Sequence, residues 1–466
     1  MRVVVIGAGI AGLTIALRVA QRGAAVTVLE AGETAGGHVQ TLREDGFIVE
    51  AGPNGYLESA DAPEPGRLVG DLGLLAAVIE ARPAARRRHV VRGGRLRRVP
   101  DSPGGLLGSD ALGLGGKLRL LAEPFVPPAP AGREESVHAF ARRRVGREAA
   151  DVLVDTAVMG ISAGDSRELS MNAAFPQVTE MEHRHGSLFR AMMARRARRP
   201  RLVSFAGGMR TMIDALVARL GPDLRLRTRA LGLERGEDGW RIALDGGEVV
   251  TADRVVLAAQ AAHAAGLVRV LDRELAEGLG AFPFAGLAVV AMAFPAAAVP
   301  RALDGYGYLV ARSEGLDTLG VVWDSSLFAG RAPEGRVLLR AMMGGARRPE
   351  VAALEPDDLV RRARADLATV LGVHSAPARV WAWRRPAAIA QYTFGHIERV
   401  ARARALAARY PGLELCGTSY DGVSFGAGVA SAEAIAARVL GSPDAPRAAT
   451  PPPGAESARA EVVRIA

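Results

Sequence analysis

Arg2-Val3-Val4-Val5-Ile6-Gly7-Ala8-Gly9-Ile10-Ala11-Gly12 decides the fold of this chain. Residues 2–6 are a short, mostly apolar run of the kind that forms a strand buried on both faces. The run enters Gly7-x-Gly9-x-x-Gly12, and then a segment in which Leu13, Ala16, Leu17 and Ala20 recur on one helical face before Gly23 ends it. A second apolar run, Ala25 to Leu29, ends on Glu30. Strand, G-x-G-x-x-G, helix, strand and acid, in that order, is the pattern of a dinucleotide-binding βαβ unit. Gly7 permits the tight turn, Gly9 lets a pyrophosphate approach the backbone, and Gly12 lets the helix close on the sheet. Ala8, Ile10 and Ala11 complete the loop, and the phosphates sit at the positive end of the helix dipole. Glu30, followed by Ala31, stands where a carboxylate meets the ribose hydroxyls.

Gly36 and Gly37 follow shortly after Glu30. Strand-GAGIAGL-helix-VTVLE-x5-GG resembles the FAD-binding signature of the glutathione-reductase-type flavoproteins, particularly the amine oxidase and porphyrinogen oxidase superfamily. That resemblance implies non-covalent FAD rather than NAD. The paired glycines of the superfamily are usually followed by arginine, where this chain has His38. Farther on, Ala51-Gly52-Pro53-Asn54-Gly55-Tyr56 is similar to a porphyrinogen oxidase loop that lies along the flavin; on its own, Pro-Asn-Gly is ordinary turn chemistry.

Composition narrows the alternatives. A chain of 466 residues, 49% hydrophobic, suits two or three globular units. No apolar run reaches the ~20 residues of a spanning helix, and the first strand begins at the N-terminus with no signal peptide before it. The single cysteine, Cys416, fits a reducing cytoplasm and reads as a small buried residue. The net charge is +9, carried almost wholly by arginine, since Lys117 is the one lysine. Abundant alanine beside that arginine reads as coding bias, and no nucleic-acid motif accompanies the clusters at Arg86–Arg88, Arg142–Arg144 and Arg195–Arg201. An anionic membrane surface or an anionic substrate suits such charge better than nucleic acid.

The rest of the chain bears on the substrate. Arg86-Arg87-Arg88-His89-Val90-Val91-Arg92-Gly93-Gly94-Arg95-Leu96 reads as a basic hairpin. It resembles a porphyrinogen oxidase stretch whose arginine, matched by Arg88, faces a substrate propionate; guanidinium pairs bidentately with carboxylates. Without the resemblance, Arg88 is a solvated arginine on an edge strand. Gly160-Ile161-Ser162-Ala163-Gly164-Asp165 and Leu169-Ser170 are similar to a family run in which a glycine carbonyl, here Gly160, faces the tetrapyrrole. Leu287, Leu303 and Trp323 match apolar positions lining the family's substrate cavity, although as bare sequence they are core residues. Ala390-Gln391-Tyr392-Thr393-Phe394-Gly395-His396 resembles the family's P-Q-Y-x-x-G-H; Ile397 is carried over as a cofactor neighbour, and His396 reads as structural. Leucines 106–121 could face a bilayer, line a channel or join the core.

Near the C-terminus a strand from Leu413 runs to Gly417, followed by Val423, Ser424, Phe425 and a helix from Gly428 to Leu440. In the superfamily such a helix aims its N-terminus at the flavin, where its dipole stabilises negative charge on the reduced ring. Ala230 matches a backbone contact to the adenine. Other expected elements are a helix over Leu68–Ile79, a strand over Leu224–Leu233 and a helix over Pro356–Leu371.

The resemblance, spanning Arg2 to Leu440, implies an α/β fold with three units. These are a Rossmann-like FAD unit (1–75, 201–262, 386–440), a helical substrate-channel and membrane unit (76–200), and a mixed-sheet substrate unit (263–385), with a disordered tail (441–466). The implied activity is oxidation of protoporphyrinogen IX or coproporphyrinogen III by FAD, with O2 as final acceptor and no metal. Peripheral membrane contact follows from the same likeness, the cytoplasm is the location that the single cysteine suits, and a homodimer is left open. An amine oxidase would place a lysine beside the flavin, and Lys117 lies in the wrong segment. The remaining alternative is a divergent amine oxidase- or desaturase-like flavoprotein acting on another apolar substrate, or a non-catalytic carrier of a tetrapyrrole or other apolar ligand.

Overall fold

The computed structural model describes residues 1–100, 103–130, 132–194 and 200–441. The expected tail therefore lies almost wholly outside the described residues, as does most of the Arg195–Arg201 cluster. Strand Arg2–Ile6 is central in a five-stranded parallel sheet. Ala25–Leu29 and then Leu224–Arg225 lie on one side of it; Arg254–Leu257 and then Leu413–Leu415 lie on the other. Its apolar run is continuous because both faces are covered. Val3 and Val5 pack with helices Ile10–Gln21 and Phe425–Val439, whereas Val4 and Ile6 face a three-stranded antiparallel sheet and the helices around Ala264 and Leu279.

Two expected elements differ. The strand expected over Leu224–Leu233 is broken at Arg227, which takes the left-handed conformation (φ 50°). Leu224–Arg225 thus joins the parallel sheet, and Ala230–Gly236 opens the antiparallel one. The helix expected over Leu68–Ile79 instead runs from Glu64 to Asp71 and turns out at Gly73 (φ 71°); Val78–Glu80 leaves it as a strand paired with Arg201–Phe205. Proline at the helix start and glycine after its end favour the shorter segment.

A seven-stranded mixed sheet forms the second body. Its order is Arg379–Ala390, Phe284–Pro295, Arg336–Gly344, Thr318–Val322, Gly307–Val310, Arg88–Arg92 and Arg95–Arg98. The basic hairpin thus belongs to this sheet, joined by parallel pairing of Arg88–Val91 with Gly307–Val310. Helix Pro356–Leu371, as expected from the sequence, buries Leu359, Ala363 and Leu367 against one face. Helical turns continue from Arg147 to Ser162 near the other face, with one π-helical stretch at Ala150–Val154. No helix among the described residues is long and apolar enough to cross a membrane.

Candidate flavin and substrate site

The first glycine loop is shaped by contacts that only glycine permits. Gly7 has φ 106° and donates its N–H to Leu29 O at 2.8 Å. A Cβ on Gly12 would stand 2.0 Å from Gly7 O, which fixes how closely helix and strand approach. Gly36 N–H donates to Ala8 O at 2.8 Å and Gly9 bridges Gly36, so the two glycine segments form one surface, with Gly37 exposed upon it. Helix Ile10–Gln21 starts at Gly9 with no side-chain cap and no acid in its first turn. Its leading N–H groups, around Ala11 and Gly12, are therefore available to an anion. Glu30 accepts from Ala8 N–H at 2.9 Å and Gly32 N–H at 2.8 Å, and each oxygen keeps a lone pair for a hydroxyl. Thr228 N–H donates to Glu30 O at 2.8 Å, which brings the start of Ala230–Gly236 beside the acid and Ala31. This bare cradle, with a carboxylate at the adjoining strand end, fits a dinucleotide.

The cradle opens into a cleft of about 2120 Å³, counted out to its open mouth. Ile10, His38, Gly52, Pro53, Asn54 and Gly55 line one wall, and Val423, Ser424, Phe425 and Gly426 line its end. Arg88, Gly160 and Leu287 line the rest, among Val289, Leu309 and Met342. Helix Phe425–Val439 starts three residues earlier than expected, because Ser424 caps it by accepting from Ala427 N–H at 3.1 Å. The unusual Gly426-Ala427-Gly428 run is thus its first turn, with Gly428 packed close to Ile10. Gly417 (φ 121°) turns the chain out of the last parallel strand toward that end.

Three expected positions lie elsewhere. Trp323 is wholly buried in the core beneath the sheet, its ring 5.4 Å from that of His89. Leu303 packs against the same core. They miss the cleft because the wall is made by Val321 and Val322, and the chain turns inward after them. Ile397 is 51% exposed. Gly395 (φ 71°) starts its helix with His396 facing inward, which leaves Ile397 outward.

Other residues prove important that the sequence did not single out. Arg340 is buried, pairs with Asp324 at 2.8 Å and donates to Gly52 O at 2.9 Å, fixing the Gly52–Gly55 loop from below. An arginine within the apolar strand sequence VLLRAMMG was the available signal. Glu50 continues this buried network, accepting from Met209 N–H at 2.8 Å and Thr41 Oγ1 at 2.7 Å beside Arg331. Gly52 is required here, since a Cβ would fall 1.8 Å from His38 O. Tyr306 holds Arg88 by its ring face, 5.4 Å from the guanidinium carbon.

The Gln391-Tyr392 pair ties the two halves together. Gln391 Nε2 donates to Ser162 O at 3.0 Å, in the helix that carries Gly160. Tyr392 OH donates to Thr418 O at 2.9 Å and accepts from Gly422 N–H at 2.5 Å, in the loop before Val423. His396 stacks on Tyr392 with ring centroids 3.8 Å apart, and burial pushes its pKa down to about 3, so it is neutral and structural. Burial likewise lowers His38 to about 4, helped by the nearby charge of Arg385. Cys416 is buried, its thiol pushed up to about 12 mainly by desolvation, so it is not a reactive thiolate.

The chain belongs to the flavin containing amine oxidoreductase family, whose pattern it matches over residues 10–440. A flavin is the cofactor of that class, and the cradle described above fits its dinucleotide form, FAD. Within the class, the chain is 34% identical to the chloroplastic protoporphyrinogen oxidase of Nicotiana tabacum, over 94% of this chain and 85% of that one. It is 33% identical to the coproporphyrinogen III oxidase of Propionibacterium freudenreichii, over 96% and 92%. A crystal structure from Exiguobacterium sp. 255-15, provisionally assigned as a protoporphyrinogen oxidase, superposes with a TM-score of 0.82 at 26% identity, covering 94% of this chain and 99% of that one.

Proposed function

We propose that this chain is a FAD-dependent porphyrinogen oxidase of haem biosynthesis. One observation carries the reading: a single cleft joins the glycine cradle to an apolar floor with the Arg88 guanidinium near its far end. A porphyrinogen has that profile, a broad apolar ring fringed by carboxylates. FAD, when bound, supplies the hydride acceptor. Each round would take a hydride from a methine-bridge carbon and release a proton from the ring system to solvent, the hydride and one proton together reducing O2 to H2O2, and repeated rounds with tautomerisation give the aromatic porphyrin.

The chain's own residues orient the ring and exclude water. Arg88, steadied by Tyr306, pairs with a propionate. Gly160 lies in the last turn of its helix, where carbonyls run out of intrahelical partners, and accepts from pyrrole N–H groups. Leu287, Val289 and Met342 form the apolar floor. At the cleft end, Val423 to Gly426 at the N-terminus of Phe425–Val439 would hold the flavin head, with the helix dipole favouring negative charge there. No acid–base pair among the lining residues is needed, because hydride removal is driven by the acceptor.

The three-unit division expected from the sequence follows from the same reading. Leu114, Leu118 and Phe125 stand 74%, 60% and 85% exposed beside Lys117 and Arg119, which supports peripheral contact with an anionic membrane. The test is anaerobic mixing of the holoenzyme with protoporphyrinogen IX and with coproporphyrinogen III. Bleaching of the visible flavin band by one or both is expected; bleaching by neither overturns the function.

A further inference from the structure

The sheet that floors the cleft carries a charge that neither the reaction above nor a carboxylate partner uses. Arg385 lies on strand Arg379–Ala390, directly opposite Leu287, and lines the same cleft. Its Nη2 donates to Gln40 Oε1 at 3.0 Å, while its buried Nε has no hydrogen-bond partner. Burial lowers its pKa and no acidic neighbour offsets that effect. Arg144, Arg331 and Arg340 are buried and Arg347, like Arg385, is partly so, but each of those four faces a carboxylate: Glu123, Glu50, Asp324 and Asp155 respectively. His38 cannot neutralise Arg385 and is itself uncharged at neutral pH. A desolvated cation without a counterion is destabilising. Its retention at the cleft wall points to an anion that arrives with a ligand.

Two anions enter this cleft on the reading given above: a substrate carboxylate, and the isoalloxazine ring, which becomes anionic once it has accepted a hydride. Position separates them. Arg385 is hydrogen-bonded to Gln40, and Gln40 and His38 follow directly on Gly36-Gly37 of the nucleotide cradle. Arg88 lies five strands away across the same sheet, roughly 24 Å at the usual strand spacing. The cation at the cofactor end therefore has a different partner from the one at the substrate end. We propose that Arg385 is the fixed positive charge that stabilises reduced, anionic FAD, making the flavin of this chain a stronger oxidant. The proposal rests on the FAD site and not on the identity of the substrate.

The holoenzyme and its Arg385→Met and Arg385→Lys variants test it by two readouts that need no porphyrinogen: the two-electron midpoint potential of the flavin, and the affinity for sulfite, which adds to flavin N5 and leaves the ring anionic. Arg385→Met is expected to retain FAD, to weaken sulfite binding at least tenfold and to lower the potential by about 30 mV or more, the two-electron equivalent of tenfold. Arg385→Lys should recover most of both. If Arg385→Met loses FAD, Arg385→Gln, which keeps a donor toward Gln40, is read by the same two measurements. Unchanged potential and sulfite affinity overturn the proposal, and a raised KM for porphyrinogen without them assigns Arg385 to a substrate carboxylate instead.

Discussion

At Arg88 the guanidinium lies over the Tyr306 ring and faces the cleft. Charge-assisted hydrogen bonds contribute about 1.5–3 kcal/mol, so Arg88→Ala should raise KM for the porphyrinogen by about ten- to a hundred-fold with FAD content unchanged; equal KM would remove Arg88 from the site. His396 gives a pH signature. Its pKa is pushed from the ordinary 6.5 to about 3 by burial, so below pH 6.5 the unfolded chain binds a proton that the folded chain refuses. Stability is thus lost as pH falls from 6.5 toward 3, by about 2 kcal/mol between pH 6.5 and 5. His396→Phe, which keeps an aromatic ring on Tyr392, should flatten that part of the curve in urea titrations at the two pH values. The residue scale is also where sequence reading reached least far. Arg88, Gly160 and Leu287 carry signals that survive folding, whereas Trp323, Leu303 and Ile397 depend on which side of a strand end or helix start faces the cleft. No local pattern sets that side: Val322 lines the wall and Trp323, one residue on, is in the core.

At the scale of elements the nucleotide loop was almost fully legible, because its glycines answer to contacts within a few residues or one strand away. Gly12→Val should abolish flavin binding, read as loss of the visible flavin spectrum on purification, since its Cβ would collide with Gly7 O. The far helix was less legible. Gly426 and Gly428 look like helix breakers until the cap at Ser424 and the close approach to Ile10 are seen. Ser424→Ala should cost about 1 kcal/mol of unfolding free energy, measured by urea denaturation, and weaken FAD retention because the first turn of that helix closes the cleft. The Arg340–Asp324 pair under Gly52 was not anticipated, since a buried ion pair reveals itself only when a strand and a separate helical turn are brought together.

For the molecule as a whole, the cofactor joins pieces that are far apart in the chain. The cradle, the Gly52 loop, the Thr418 loop and the start of Phe425–Val439 meet around one cleft. FAD at a hundred times its Kd should therefore add about 2.7 kcal/mol to unfolding, seen as a higher melting temperature of holo- than of apoprotein; equal melting temperatures would deny that these pieces share a ligand. The π-helical stretch at Ala150–Val154 has a different consequence. It precedes Thr156, Ala157, Gly160 and Ile161, which all border the cleft. One residue removed there would turn everything after it by about 100°, swapping the cleft-facing side chains while the helix stayed in its groove. The length of the chain at this one place therefore sets which side chains of that helix border the pocket.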